Sequence, residues 1–202
     1  MEEQKKLIVV PWDFTVVADY ALAHAVKISR TVDNDICLLH IVSKGISNQE
    51  GAAKRAQLIK VAEENSRKYN MTLSYHISKG SIFTSIAEYA NEKEASLVVM
   101  GTHGMKGMQK ITGSWALKVI VKSKVPFIVV QDFPADQERY HNIVFPVDFR
   151  VENKEKMKMA IFMGKYFDSK IHILKTISVD KSLVKKININ LNFAIKYLIQ
   201  NN

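Results

Sequence analysis

The sequence predicts an α/β fold of parallel strands joined by helical crossovers, followed by a partial second copy of the same arrangement. Three observations predict it. Short β-branched runs alternate with longer amphipathic segments over residues 6–131, the pattern of strands connected by right-handed helical crossovers. Several of those runs, LIVV and SLVVM among them, are almost wholly apolar, as central strands covered on both faces must be. Residues 7–43 then recur at 142–178 with a constant offset of 135 and no gap, giving eleven identities in 37 positions, among them Pro11/Pro146, Asp13/Asp148, Phe14/Phe149 and Leu39/Leu174. That is an internal repeat.

Five strands follow in order: Lys6–Pro11, Asp35–Val42, Thr72–Ser78, Ser96–Met100 and Pro126–Gln131. Between them, Thr15–Thr31 sets Ala18, Ala21, Leu22, Ala25 and Ile28 on one helical face, and Glu50–Tyr69 does the same with Ala53, Leu58, Val61 and Ala62. Ser81–Lys93 and Ser114–Ser123 complete the helices. Each opens on Gly-Ser, with a serine oxygen placed to accept an orphan N–H of the first turn. The domain therefore spans residues 1–133. Residues 134–140, with Pro134 and a cluster of charges, read as a linker. The second copy, 141–202, supplies a strand (Ile143–Pro146), a helix (Asn153–Phe167), a strand (Ile171–Ile177) and a helix around Leu183–Ile199. Its last three strands are missing, so the expectation is a piece of a longer tandem chain, or a half-domain completed by another molecule.

Composition narrows the function. Hydrophobic residues at 47%, charged residues at 24%, 8 Gly and 4 Pro exclude a disordered, collagen-like or fibrous chain. The single cysteine, Cys37, closes no intramolecular disulfide, and Leu7–Val10 is too short for a signal-peptide core, which points to the cytoplasm. No apolar run approaches the roughly 20 residues that cross a bilayer. The net charge of +9 divides into 17 basic against 13 acidic residues over 1–133 and 12 against 7 over 134–202. A surplus so evenly spread reads as a solvated surface, and its densest part, Lys181, Lys185 and Lys186, lacks the interleaved aromatics of a base-stacking groove. Nucleic acid is therefore not the expected partner.

The candidate site is built from two strand ends. Met100-Gly101-Thr102-His103-Gly104 follows the fourth strand and Gly113-Ser114 opens the next helix, so uncovered backbone N–H groups meet at a helix N-terminus, a phosphate-binding arrangement. The competing explanation is a tight strand–helix loop with Ser114 as a simple cap. Pro11-Trp12-Asp13 ends the first strand. There Asp13 either accepts from a ribose hydroxyl or an adenine amino group, or caps the helix that begins near Thr15. His40, inside an apolar strand, reads as a hydrogen-bonded structural residue. His24, His76, His141 and His172 show no ligand spacing with Cys37 or one another, so zinc is not expected. No nucleophile and base constellation marks an enzyme.

PWDFT, LLHIVSK, SLVVMGTHG, GSWALKVIVKS and VPFIVV, in this order and spacing, resemble the universal stress protein family over residues 5–132, with 140–202 resembling the front half of another copy. The resemblance implies an open five-stranded parallel sheet in the order 3-2-1-4-5 with helices on both faces. It also implies, in one branch, a bound ATP with a divalent ion, here Mg²⁺, with AMP or ADP as alternative occupants. Carried across by position, Pro11 and Asp13 lie by the adenosine and Ile41 offers backbone to the base, while Gly101, His103, Gly104, Gly113, Ser114 and Trp115 surround the phosphates, with Met100 beside them. The family's loop reads G-x2-G-x9-G-[ST]. This chain has eight residues, not nine, between Gly104 and Gly113. Trp12 departs from the small or aliphatic residue usual between proline and aspartate, and either walls the purine or packs in the core.

The function expected is a stress-response regulatory protein that binds an adenine nucleotide. A non-nucleotide-binding dimerisation module is the alternative, and the shortened loop would be its signature. Adenylate-transfer enzymes of the wider superfold are disfavoured, because Asp13-Phe14-Thr15-Val16 is not a pyrophosphate loop. A homodimer through the fifth strand, Phe127, Ile128, Val129 and Val130, would remove an exposed sheet edge.

Overall fold

A computed structural model describes residues 5–102, 118–134, 139–150 and 153–201. The chain divides into two compact units, Met1–Ala135 and Asp136–Asn202.

In the first unit the apolar runs become strands β1 (Leu7–Pro11), β2 (Asp35–Val42), β3 (Leu73–Lys79), β4 (Leu97–Gly101) and β5 (Phe127–Val130). They pair in parallel in the order β3-β2-β1-β4-β5, with Ile8 opposite both Ile36 and Leu97. The side chains alternate across the sheet. Val9, Cys37, Leu39 and Val98 pack with Ile86, Tyr89 and Ala90 of helix α3 (Ile82–Glu92), while helix α1 (Val16–Val32) buries Ala18, Ala21, Leu22, Ala25 and Ile28. Every residue read as that helix's apolar face is therefore buried. Cys37 lies in this core with its thiol 3.4 Å from the Tyr89 hydroxyl, and burial pushes its pKa up, so it is chemically quiet.

Helix α2 (Asn48–Tyr69) begins two residues earlier than its apolar pattern suggests. The cause is a capping box: the Glu50 N–H donates to Ser47 Oγ, and the Ser47 N–H donates to Glu50 Oε2, both at 3.2 Å. Ser81 caps α3 as expected, accepting from the Phe83 N–H. Of the helix expected at Ser114–Ser123, only its end is described: residues 118–120 are helical, and the chain turns at 121–122 into β5.

His24, on α1, lies below its ordinary imidazole pKa, chiefly through burial, with Lys27 adding to the effect and the Asp132 carbonyl opposing it. Burial lowers His76 likewise. The unfolded chain then binds more protons than the native one below the ordinary value of 6.5, so stability is full above that value and falls as pH drops toward the native values. The thermal midpoint is expected to be lower at pH 5.5 than at pH 7.5, with a smaller difference in His24→Gln. A midpoint that is flat or rises on acidification would contradict this.

The second unit folds as β6 (Asn142–Val147), α4 (Asn153–Phe167), β7 (Lys170–Lys175) and α5 (Lys181–Asn201), with β6 and β7 parallel. The repeat is visible in its details. Helix α1 ends at Asp33 with φ 52°, and Asp168, 135 residues on, has φ 50° at the end of α4. Strand β7 is shorter than the expected Ile171–Ile177: its ladder closes with the Thr176 N–H on the Val147 carbonyl, and Ile177 is solvent-exposed.

One face of this small sheet packs Phe145 and Val147 against Met157, Ala160, Ala194 and Leu198. The other is bare. Val9 and Leu39 are 0% exposed in the first unit, yet their counterparts Val144 and Leu174 are 63% and 57% exposed. Val9→Ala should therefore cost about 2 kcal/mol and Val144→Ala less than about 0.5 kcal/mol, as read by denaturant titration. Equal costs would mean the bare face is covered in solution.

Candidate functional site

In a sheet ordered 3-2-1-4-5 the crossovers leave β1 in opposite directions, which opens a crevice beyond the carboxyl ends of β1 and β4. The first unit has a cavity there of about 180 Å³, more than the roughly 150 Å³ that holds a benzene ring. A flat heterocycle fits.

Its walls come from four places. The end of β1 contributes Pro11, Trp12 and Asp13, and β2 contributes Leu39, His40 and Ile41. The end of β4 contributes Met100, Gly101 and Thr102, and the helices supply Ala18, Ile82, Ile86 and Val119. Six of the expected site residues, Pro11, Trp12, Asp13, Ile41, Met100 and Gly101, thus line one cavity. His103, Gly104, Gly113, Ser114 and Trp115 lie outside the described residues.

Hydrogen bonds fix the β1 end. The Trp12 N–H donates to the Leu39 carbonyl at 2.8 Å, and His40 Nδ1 lies 2.7 Å from the Trp12 carbonyl. A carbonyl only accepts, so Nδ1 carries the proton and donates it. His40 is therefore the hydrogen-bonded residue its strand position implies, and it also borders the cavity. Phe14 follows at φ 63°, in the left-handed region unusual for a non-glycine residue. Its ring meets His40 edge-on at 4.8 Å, with Lys54 Nζ 4.9 Å from its centroid.

Asp13 is not the N-cap of α1. That position is Thr15, whose side chain makes no capping bond. Instead Asp13 Oδ1 accepts from both the Thr15 N–H (3.0 Å) and the Thr15 hydroxyl (2.6 Å), closing an Asx-type turn. Oδ2 has no protein partner among the described residues, and the side chain is exposed at the cavity rim. The second repeat differs at the same point. Arg150 replaces Thr15, its N–H donates to Asp148 Oδ1 at 2.9 Å, and its Nε stands 3.1 Å from Oδ2. Both oxygens of Asp148 are thus engaged by one neighbour.

Trp12 is 5% exposed, and its Nε1 is the buried side-chain atom without a hydrogen-bond partner among the described residues. A sealed donor of this kind costs about 1–3 kcal/mol.

The cavity therefore suits a flat, largely apolar ring. Its walls are apolar, a carboxylate stands at its rim for hydroxyl donors, and Trp12 holds an unmatched donor. No lysine or arginine among the described residues lines it. Among the described residues no cluster of three histidine, cysteine or acidic side chains forms a metal site. Sequence reasoning did not place Thr15, Ile82, Ile86, Thr102 or Val119 at the cavity.

Comparison with known proteins agrees with this architecture. A universal stress protein MJ0531 from Methanocaldococcus jannaschii is 28% identical over 147 residues, covering 64% of this chain and 84% of that protein. Among solved structures, UspA from Lactobacillus plantarum superposes with a TM-score of 0.54 at 21% identity, covering 64% of this chain and 99% of that one. A universal stress protein from Archaeoglobus fulgidus in complex with dAMP gives 0.52 at 21% identity, covering 63% and 98%. The described helices include none long and apolar enough to cross a membrane. The family profile described as Universal stress protein family matches residues 5–131, and the chain belongs to that family.

Proposed function

We propose that the first unit binds an adenine nucleotide, ATP with Mg²⁺ before AMP or ADP, and acts in the cytoplasm as a stress-response regulator through occupancy rather than turnover. The observation that carries this is the apolar cavity at the switch point with Asp13 at its rim. The two relatives solved in complex with dAMP and with cAMP support it by analogy. In this reading the base occupies the cavity, Asp13 receives the ribose hydroxyls, and the segment from Gly104 to Ser114 receives the phosphates. Asp13 and His40 already hold Thr15 and the Trp12 carbonyl, which favours binding over base catalysis. The test is to denature freshly purified protein, identify any released small molecule by mass spectrometry, and titrate the apo protein with ATP and Mg²⁺ by calorimetry. Recovered adenine nucleotide or saturable micromolar binding is expected. An empty protein that ignores ATP would sink the proposal and leave dimerisation as the function.

The assembly proposed is a homodimer through β5. Among the described residues that strand pairs only with β4, leaving an edge that a two-fold mate removes. Val129 is 39% exposed there, so Val129→Lys adds charge to the edge with little cost to the core. The variant should elute as a monomer where the parent elutes as a dimer in size-exclusion chromatography with light scattering. Identical masses would exclude this interface.

A further inference from the structure

Trp12 is the residue of the pocket whose chemistry the fold does not use. Its main chain is fully engaged, with the N–H on the Leu39 carbonyl and the carbonyl accepting from His40. Its indole N–H lies closed off from solvent without an acceptor among the described residues. Packing does not demand an indole at this point. The second repeat runs through the same frame, Pro146-Val147-Asp148-Phe149, and fills the equivalent position with Val147, 0% exposed and without a polar side-chain atom. The equivalent strand end therefore forms without tryptophan.

We propose that Trp12 is a specificity-determining residue of this pocket, its indole N–H donating to a ring nitrogen of the heterocycle that enters. The inference rests on the adenine reading above and adds to it the feature of the base that the protein selects, an in-plane acceptor. Trp12 is one of the residues that line the cavity, and pairing with an incoming ring requires the indole to turn, because its nitrogen is sealed in the free protein. A site built around such a donor rejects an analogue that lacks the matching acceptor, because the N–H is again left unpaired.

The experiment uses the full chain, labelled with ¹⁵N, with ATP and adenosine as probes. The protein has two tryptophans, so Trp12→Phe assigns the Trp12 indole resonance by its loss. That resonance should move downfield as ATP saturates the site. Trp12→Phe should bind ATP about tenfold more weakly. Among 1-, 3- and 7-deazaadenosine, one should lose the same factor against the parent protein and lose nothing further against Trp12→Phe.

An indole resonance unmoved at saturation overturns the inference, as does full-strength binding by Trp12→Phe. The NMR shift and the deaza series on the parent protein stand without the variant. A parent protein that binds neither ATP nor adenosine fails differently: it removes the adenine reading, and this inference with it.

Discussion

Gly101→Ala is expected to destabilise the first unit by about 3 kcal/mol, lowering its thermal midpoint by roughly 10 °C. Gly101 ends β4 where the strand crosses the first turn of α1. A methyl group there would overlap the Val17 carbonyl oxygen and stand 2.5 Å from Val17 Cγ1 and 2.8 Å from the Val17 carbonyl carbon. Two of those three atoms are backbone. No rotamer change relieves them, so the helix must lift off the sheet it covers, and Val17, Ala18 and Ala21 lose their packing with it. The glycine is thus required by close approach, and the cavity wall it forms is as narrow as the chain can make it. Gly45→Ala is the control. Nothing lies within 4 Å of a methyl group there, so the same substitution should leave stability unchanged or raise it by about 0.4–1 kcal/mol through the unfolded chain. Similar midpoints for the two variants would mean that α1 and β4 yield more readily than their backbone contact allows.

The contrast shows what the sequence carries and what it does not. Strand positions were legible because β1, β2 and β4 are apolar on both faces, and the α1 face was legible because five apolar residues recur at helical spacing. The start of α2 is set by the S-x-x-E of Ser47 and Glu50, a local signal outside the apolar pattern that placed the helix at Glu50. Where Ile177 was read into a strand, its apolar side chain outweighed the loss of a pairing partner, and the structure leaves it in solvent. The cavity was legible only by half. Motif residues at the strand ends could be placed, whereas Ile82, Ile86 and Val119 join them through tertiary packing that no local pattern encodes. Trp12 stood out by type, but that its N–H finds no acceptor is a property of its surroundings. Likewise Val9 and Val144 are the same residue in the same repeat position, and what packs against each separates a core residue from a bare one.

Asp13 offers the sharpest division between scaffold and site, because its two roles use different features of the carboxylate. Oδ1 holds Thr15 through two hydrogen bonds, and an asparagine can keep its carbonyl oxygen on the Thr15 N–H. The negative charge and the second acceptor, by contrast, matter only to a ligand. Asp13→Asn is therefore expected to retain the parent's thermal midpoint while ATP binding weakens about 10–100-fold, the range for hydrogen bonds to a charged group. Asp13→Ala should lose the same affinity and in addition about 1 kcal/mol of stability, as when a helix-start acceptor is removed. Calorimetric titration and thermal melts of the three proteins separate the cases. If Asp13 serves the turn alone, Asp13→Asn will bind and melt like the parent, and the carboxylate leaves the site. If instead Asp13→Asn melts as low as Asp13→Ala, the turn depends on the charge, and a loss of binding in either variant reports a misplaced α1 rather than a missing ribose contact.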